Sequence, residues 1–170
     1  MTPIVCIVGK SDVGKTTLIE KLLKELKKRK YRVATIKHDV HGFDIDKPGK
    51  DTWRHAQAGA DTVTISSPNR IAMIKKVDEE WTLNKLIELN DDVDLILTEG
   101  YKRSSKPKIE VFRSEMYNEL LCSPEELVAI ASDVTHNIHG VPVCDINDAS
   151  SLVDIIEEKI LGKGKSGCVK

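Results

Sequence analysis

Apolar residues along the chain fall into two recurring patterns, and the patterns alternate. Short unbroken runs such as IVCIV (residues 4–8) have no polar face, as expected of a strand buried on both sides. Residues 16–29 instead put Leu18, Ile19, Leu22, Leu23 and Leu26 on one face of a helix, with Lys21, Lys24, Lys27 and Lys28 mostly off it as a solvated surface. YRVATIKH (31–38) reads as a second strand and leads into a polar loop, DVHGFDIDKPGK (39–50). DTWRHAQAGA (51–60) opens on Asp and ends near Ala-Gly, as a capped short helix does. DTVTIS (61–66) and RIAMIKKV (70–77) alternate polar and apolar positions on either side of SPN, which predicts a hairpin-like pair or neighbouring strands. TLNKLIELN (82–90) is a short helix and VDLILTEG (93–100) a buried strand. KPKIEVFR (106–113), LVAIASD (127–133) and VPVCDIN (141–147) are further strands, and DASSLVDIIEEKI (148–160) is a closing amphipathic helix.

Continuous apolar strands in alternation with helices imply an α/β fold in three layers, a mostly parallel sheet with helices on both faces. No repeat or linker divides the chain, so residues 1–162 are expected as a single domain and 163–170 as a flexible tail. Gly9, His38, Glu99, Asp133 and Asp145 all fall at the carboxyl ends of their strands, the edge where open α/β sheets bind ligands.

Directly behind the first strand stands GKSDVGKT (9–16), spaced G-x-x-x-x-G-K-T. Gly9 and Gly14 permit tight turns, so successive N–H groups of the loop can face phosphate oxygens. The start of the following helix adds partial positive charge. Lys15 is positioned to reach the β- and γ-phosphates, and the Thr16 hydroxyl to bind magnesium. A site of this kind needs a second acid on a neighbouring strand. Glu99 supplies it, a solvated strand-end carboxylate being the plain alternative, and Asp39 is a second candidate for the metal shell. Asp94 lies at the opposite edge and reads as structural. His38-x-x-His41 has metal-binding spacing, but no Cys joins it, and bonding to phosphate or nearby backbone is the simpler expectation.

Composition narrows the field. A formal charge of −1 gives no global attraction for nucleic acid. No apolar run approaches the length of a membrane span, and MTPIVCIVGK has no basic start of the signal-peptide type, so a cytoplasmic location is expected. Cys6, Cys122, Cys144 and Cys168 show no C-x-x-C spacing, which argues for structural or incidental thiols. The guanine-reading tetrapeptide N-K-x-D is absent, so these residues do not separate GTP from ATP. The loops after Asp133 and after 145–147 are the expected base contacts from their position.

Three stretches carry a family resemblance: GKSDVGKTTL, IKHDVHGFDIDKPGKDTWRHAQAGA and LTEGYKRSSKPKIEVFR. Together they make the chain similar to the molybdopterin-guanine dinucleotide biosynthesis protein B (MobB) family. The resemblance implies a P-loop NTPase fold, GTP and Mg2+ as ligands, slow hydrolysis at most, and a homodimer. It also implies an accessory role beside the guanylyltransferase that attaches GMP to molybdopterin, with molybdopterin itself as a further ligand. Carried over by position, Gly9, Lys10, Ser11, Asp12, Val13, Gly14, Lys15, Thr16 and Thr17 would contact phosphates, Thr16 and Glu99 would serve magnesium, and Lys37 would aim at the reacting site. Asp44, Asp46, Lys47, Lys50 and Asp51 would lie in a switch or lid, and Lys102, Lys108 and Arg113 would meet a substrate phosphate or an acidic partner surface. Lys10 occupies the place of an extra lysine that related switches extend across a dimer, which makes it, with Lys15, a candidate catalytic residue. Two other readings fit the same residues. One is an ATP-dependent small-molecule ligase or kinase of the dethiobiotin synthetase type, and the other a metal-insertion GTPase.

Overall fold

The run at residues 4–8 becomes β1 (Ile4–Val8), buried at every position because it lies centrally in a six-stranded sheet. The protein's computed structural model describes residues 1–163; residues 164–170, with Cys168 and most of the expected tail, lie outside it. In chain order the elements are β1, α1 (Lys15–Lys28), β2 (Val33–Lys37), α2 (Asp51–Gln57), β3 (Thr62–Ser67), β4 (Arg70–Lys75), α3 (Leu83–Glu88), β5 (Leu95–Glu99), β6 (Lys108–Phe112), β7 (Leu127–Ser132), β8 (Val143–Asp145) and α4 (Ala149–Lys159). The large sheet has the order β2-β5-β1-β6-β7-β8 with every pairing parallel. The chain passes from β5 to β6 across β1, so the order reverses at β1 and opens a crevice at its carboxyl end.

The chain folds into two compact units, one built from Met1–His38 together with the chain from Leu83 onward, the other from Asp39–Thr82. In the first, α1 buries Leu18, Leu22 and Leu26 in one cluster with Val5, Ile7, Leu97 and Ile109. α4 shares that cluster through Leu152, Val153 and Ile156, and its amino end is capped by Asp148, whose carboxylate accepts from Ser151 N at 3.0 Å. Arg29 ties the two helices, donating to Glu25 (3.1 Å) on α1 and to Asp154 (2.6 Å) and Glu157 (2.7 Å) on α4. On the other face Ile87 and Leu83 of α3 pack with Ile4 and Ile96.

Helices thus cover both faces, as the alternating pattern requires, but the second face is shared. Under β6 it is covered by segment 113–126, irregular but for a short 3-10 helix at Pro124–Glu126, which the apolar pattern did not reveal. Glu110 points there, fully buried, and its carboxylate accepts from the amides of Leu121 (2.7 Å) and Cys122 (3.0 Å). Phe112 meets Tyr117 edge-on, with ring centroids 4.9 Å apart.

The second unit holds α2 and an antiparallel hairpin, β3 with β4, in the register Val63↔Ile74 and Ser67↔Arg70 around Pro68-Asn69. Among the described residues Val63 is its one buried side chain, and Ile65, Ile71 and Met73 are exposed. Among the described residues no helix is long and apolar enough to cross a membrane.

Candidate functional site

The loop from β1 to α1 is shaped by its glycines. Gly9 has φ +150°, and a Cβ there would stand 2.7 Å from the Val111 carbonyl oxygen and 2.9 Å from Val13 Cγ1. Asp12 (φ +60°) and Gly14 (φ +100°) are also left-handed, so the chain coils and turns successive amides toward one concavity. Gly14 precedes α1 without a side-chain cap, and the first turn of α1 carries no acid. Its free N–H groups are thus left for an anion.

Lys15 folds back over this loop and donates to the Lys10 carbonyl at 2.6 Å. Burial holds its ammonium below the usual lysine range; Glu99 and Asp12 pull it upward, while Lys37 and Lys102 push it further down. A bound polyanion would offset both the burial and the crowding of cations. Thr16 Oγ1 donates to Glu99 Oε2 at 2.9 Å, and Lys37 Nζ lies 3.9 Å from Glu99 Oε1. These groups meet because Lys37 and Glu99 are register partners at the ends of β2 and β5. A hydroxyl and a carboxylate converging at the first turn of α1 form an oxygen donor set of the kind a small hard cation accepts.

The loop is buttressed from below by residues of the 113–126 segment. Arg113 Nε donates to the Val13 carbonyl at 3.1 Å, so this guanidinium braces the loop. Tyr117 donates its hydroxyl to the Val111 carbonyl (2.6 Å) and accepts from Lys10 N (3.4 Å). Lys10 Nζ rests 4.3 Å from the centroid of the Tyr117 ring. A cavity of about 580 Å³ opens over the loop, lined by Gly9, Lys10, Ser11 and Lys15 of the loop together with Lys102, Met116 and Leu121. Tyr117, Met116 and Leu121 carry no sequence motif; an aromatic with Met116, Leu120, Leu121 and Cys122 inside the otherwise polar RSEMYNELLCS was the available signal.

Lys108 does not stand where it was expected. Lys108, read as a cation for a substrate or partner, is fully buried at the amino end of β6, the edge opposite the loop. Its ammonium donates to Glu126 (2.6 Å) and to the Ser104 carbonyl (2.5 Å), so its charge is consumed inside the fold. Asp94 takes the Arg32 amide at 2.7 Å, a clasp at the start of β5. Asp39, Asp46 and Lys50 belong to the second unit. There Asp39 accepts from His41 N (2.9 Å), and Asp46 accepts from Lys47 N (2.8 Å) and Thr52 Oγ1 (3.1 Å), the bonds of a self-organised loop. Among the described residues no three His, Cys, Asp or Glu side chains are grouped to hold a metal ion. At the carboxyl edge Asp133 accepts from Ser114 N at 2.9 Å, and Lys21 donates to Asn147 at 2.6 Å.

The family model described as molybdopterin guanine dinucleotide synthesis protein B matches residues 4–133, from β1 through the end of β7, and so includes the whole phosphate loop and Glu99. The chain belongs to the MobB family. Among curated proteins it is 38% identical to the molybdopterin-guanine dinucleotide biosynthesis adapter protein of Haemophilus influenzae, over 91% of this chain and 88% of that protein. It is 39% identical to the protein of the same name from Escherichia coli, over 93% of each. Among solved structures, Bacillus subtilis MobB superposes with a TM-score of 0.74 at 27% identity, covering 93% of this chain and 98% of that one. The six-stranded parallel sheet and its helices are therefore the family fold.

Proposed function

We propose that this protein is an adapter in molybdopterin guanine dinucleotide biosynthesis that holds GTP with Mg2+ on Gly9–Thr17 and works beside the guanylyltransferase. The observation that carries the nucleotide half is the joining of Lys15, Thr16 and Glu99 at an uncapped helix start, behind a glycine that admits no side chain. The pathway half rests on family membership and on the names of the two bacterial relatives.

In this reading the loop amides and Lys15 take the β- and γ-phosphates, with Lys15 exchanging the Lys10 carbonyl for phosphate oxygen. Magnesium, when bound through Thr16 and Glu99, supplies neutralisation of the phosphate charge. Lys37 and Lys102 extend the positive field toward the terminal phosphate, and Lys10 stands at the rim of the loop, where a second copy in a homodimer would meet it. The loops after β7 and β8, with Asp133 and Asn147, are the candidate base contacts, and the adapter acts in the cytoplasm.

Calorimetric titration of GTP and of ATP with Mg2+ into wild-type and Lys15→Ala protein tests this. GTP is expected to bind more tightly than ATP, and the variant to lose about 10- to 100-fold in affinity, the value of a charge-assisted contact to phosphate. Unchanged GTP binding by the variant overturns the cradle, and preference for ATP overturns the guanine assignment.

A further inference from the structure

We propose that Tyr101 is a positioning residue: stacked on His38, it fixes the ends of β2 and β5 so that Lys37 and Lys102 reach a terminal phosphate. The inference rests on the reading of Gly9–Thr17 as a nucleotide cradle and assigns the device that tells a triphosphate from a diphosphate. Neither ring touches the nucleotide in this role.

The two residues that follow Glu99 are both left-handed, Gly100 at φ +97° and Tyr101 at φ +58°. Glycine adopts that region freely, whereas a bulky side chain adopts it only where its surroundings enforce it. Here the surroundings are specific. Gly100 N donates to the Ile7 carbonyl at 3.0 Å, and Ser104 N to the Tyr101 carbonyl at 2.9 Å. His38 N donates to the Glu99 carbonyl at 3.1 Å, so β2 and β5 stay bonded one residue past Lys37. Beyond that bond the His38 and Tyr101 rings lie stacked, with 4.8 Å between centroids and 28° between planes. Tyr101 is half-buried and packs against the main apolar cluster, which anchors the stack to the sheet.

The charged residues of the cradle's rim flank this stack in the chain. Lys37 immediately precedes His38, Glu99 precedes the left-handed turn, and Lys102 immediately follows Tyr101. Lys37 Nζ stands 3.9 Å from Glu99 Oε1, and Lys102 lines the cavity over the loop. Burial holds the Lys15 ammonium low, and the charges of Lys37 and Lys102 push it further down, so both lysines stand near it. Lysine stems are flexible, so the path of the backbone decides where their ammonium groups can gather. With Tyr101 in the ordinary right-handed region, the chain would leave β5 in another direction and take Lys102 with it. A strained turn is thus held by an aromatic stack where two strand ends bring cations to one phosphate loop.

Calorimetric titration of GTP and of GDP, each with Mg2+, into the full chain tests the proposal. Tyr101→Gly accepts the left-handed backbone and removes one ring, and His38→Ala removes the other. Both variants are expected to bind GTP about 3- to 10-fold more weakly, with GDP affinity unchanged within about twofold, because the loop amides and Lys15 remain. Tyr101→Phe and His38→Phe keep a ring at each place and should retain the wild-type preference for GTP. Equal loss of GTP and GDP in the Gly and Ala variants would make the stack a support of the fold alone and overturns the proposal. Unchanged GTP affinity in both, or the same loss in the two Phe variants, overturns it as well. A wild-type chain that binds neither nucleotide removes the cradle reading itself, a result distinct from any of these, and takes this inference with it.

Discussion

Cys122 stands where burial and charge act in one direction. Its thiol is pushed up to about 12 from an ordinary value of 9.0, first by burial and then by the nearby Glu110 and Glu126 carboxylates. The folded protein therefore holds a neutral thiol at a pH where the unfolded chain ionises. Stability contributed by this group is complete below pH 9 and is lost as pH rises from about 9 to about 12. Urea midpoints between pH 8 and 11 should fall for the wild type, and more shallowly for Cys122→Ala. Equal slopes would mean that the thiol is not held neutral by the fold. Glu110 belongs to the same residue-level account: it sits inside an apolar-reading strand, KIEVF, and its destination was set by two backbone amides further along the chain, those of Leu121 and Cys122.

At the scale of elements, the loop–helix unit depends on a segment, 113–126, that is irregular but for one 3-10 turn. Tyr117 couples β6 to the phosphate loop through one hydroxyl, while its ring supports Lys10. Tyr117→Phe keeps the ring and removes the hydroxyl, so the loop loses a tether while the Phe112 contact persists. GTP affinity should drop by about 3- to 10-fold, the value of one or two partly buried hydrogen bonds, with little change in the melting temperature. A melting temperature that falls while affinity holds would make the hydroxyl a support of the fold alone. β1 and α1 were legible from the chain because glycine spacing and apolar period are local signals. The segment 113–126 was not, because its side chains are organised by β6 and the phosphate loop and carry no period.

The whole molecule consists of units of unequal solidity. The six-stranded sheet buries both of its faces around β1, β5 and β6, whereas the hairpin unit has two strands and, among the described residues, one buried side chain. Two-stranded sheets are marginal without further packing, and local stability follows burial. In dilute solution the amides of β3 and β4 should exchange hydrogen at least about tenfold faster than those of β1 and β5. Equal protection would show that the exposed Ile65, Ile71 and Met73 are covered in solution.

What the sequence determined by itself was the local syntax. Alternating apolar periods specified strands and helices within a few residues, and G-x-x-x-x-G-K-T specified a loop that bares its amides. Both depend on backbone sterics and side-chain spacing between near neighbours. The tertiary structure alone decided which charges remain available. Lys102 and Lys108 look alike in the chain, yet one lines the cavity and the other is buried against Glu126. Arg113, expected to meet a substrate phosphate or an acidic partner surface, braces the Val13 carbonyl through its Nε. The physical reason is that a charge's role depends on its distance to partners far along the chain and on the water left around it. Neither quantity is encoded in local spacing.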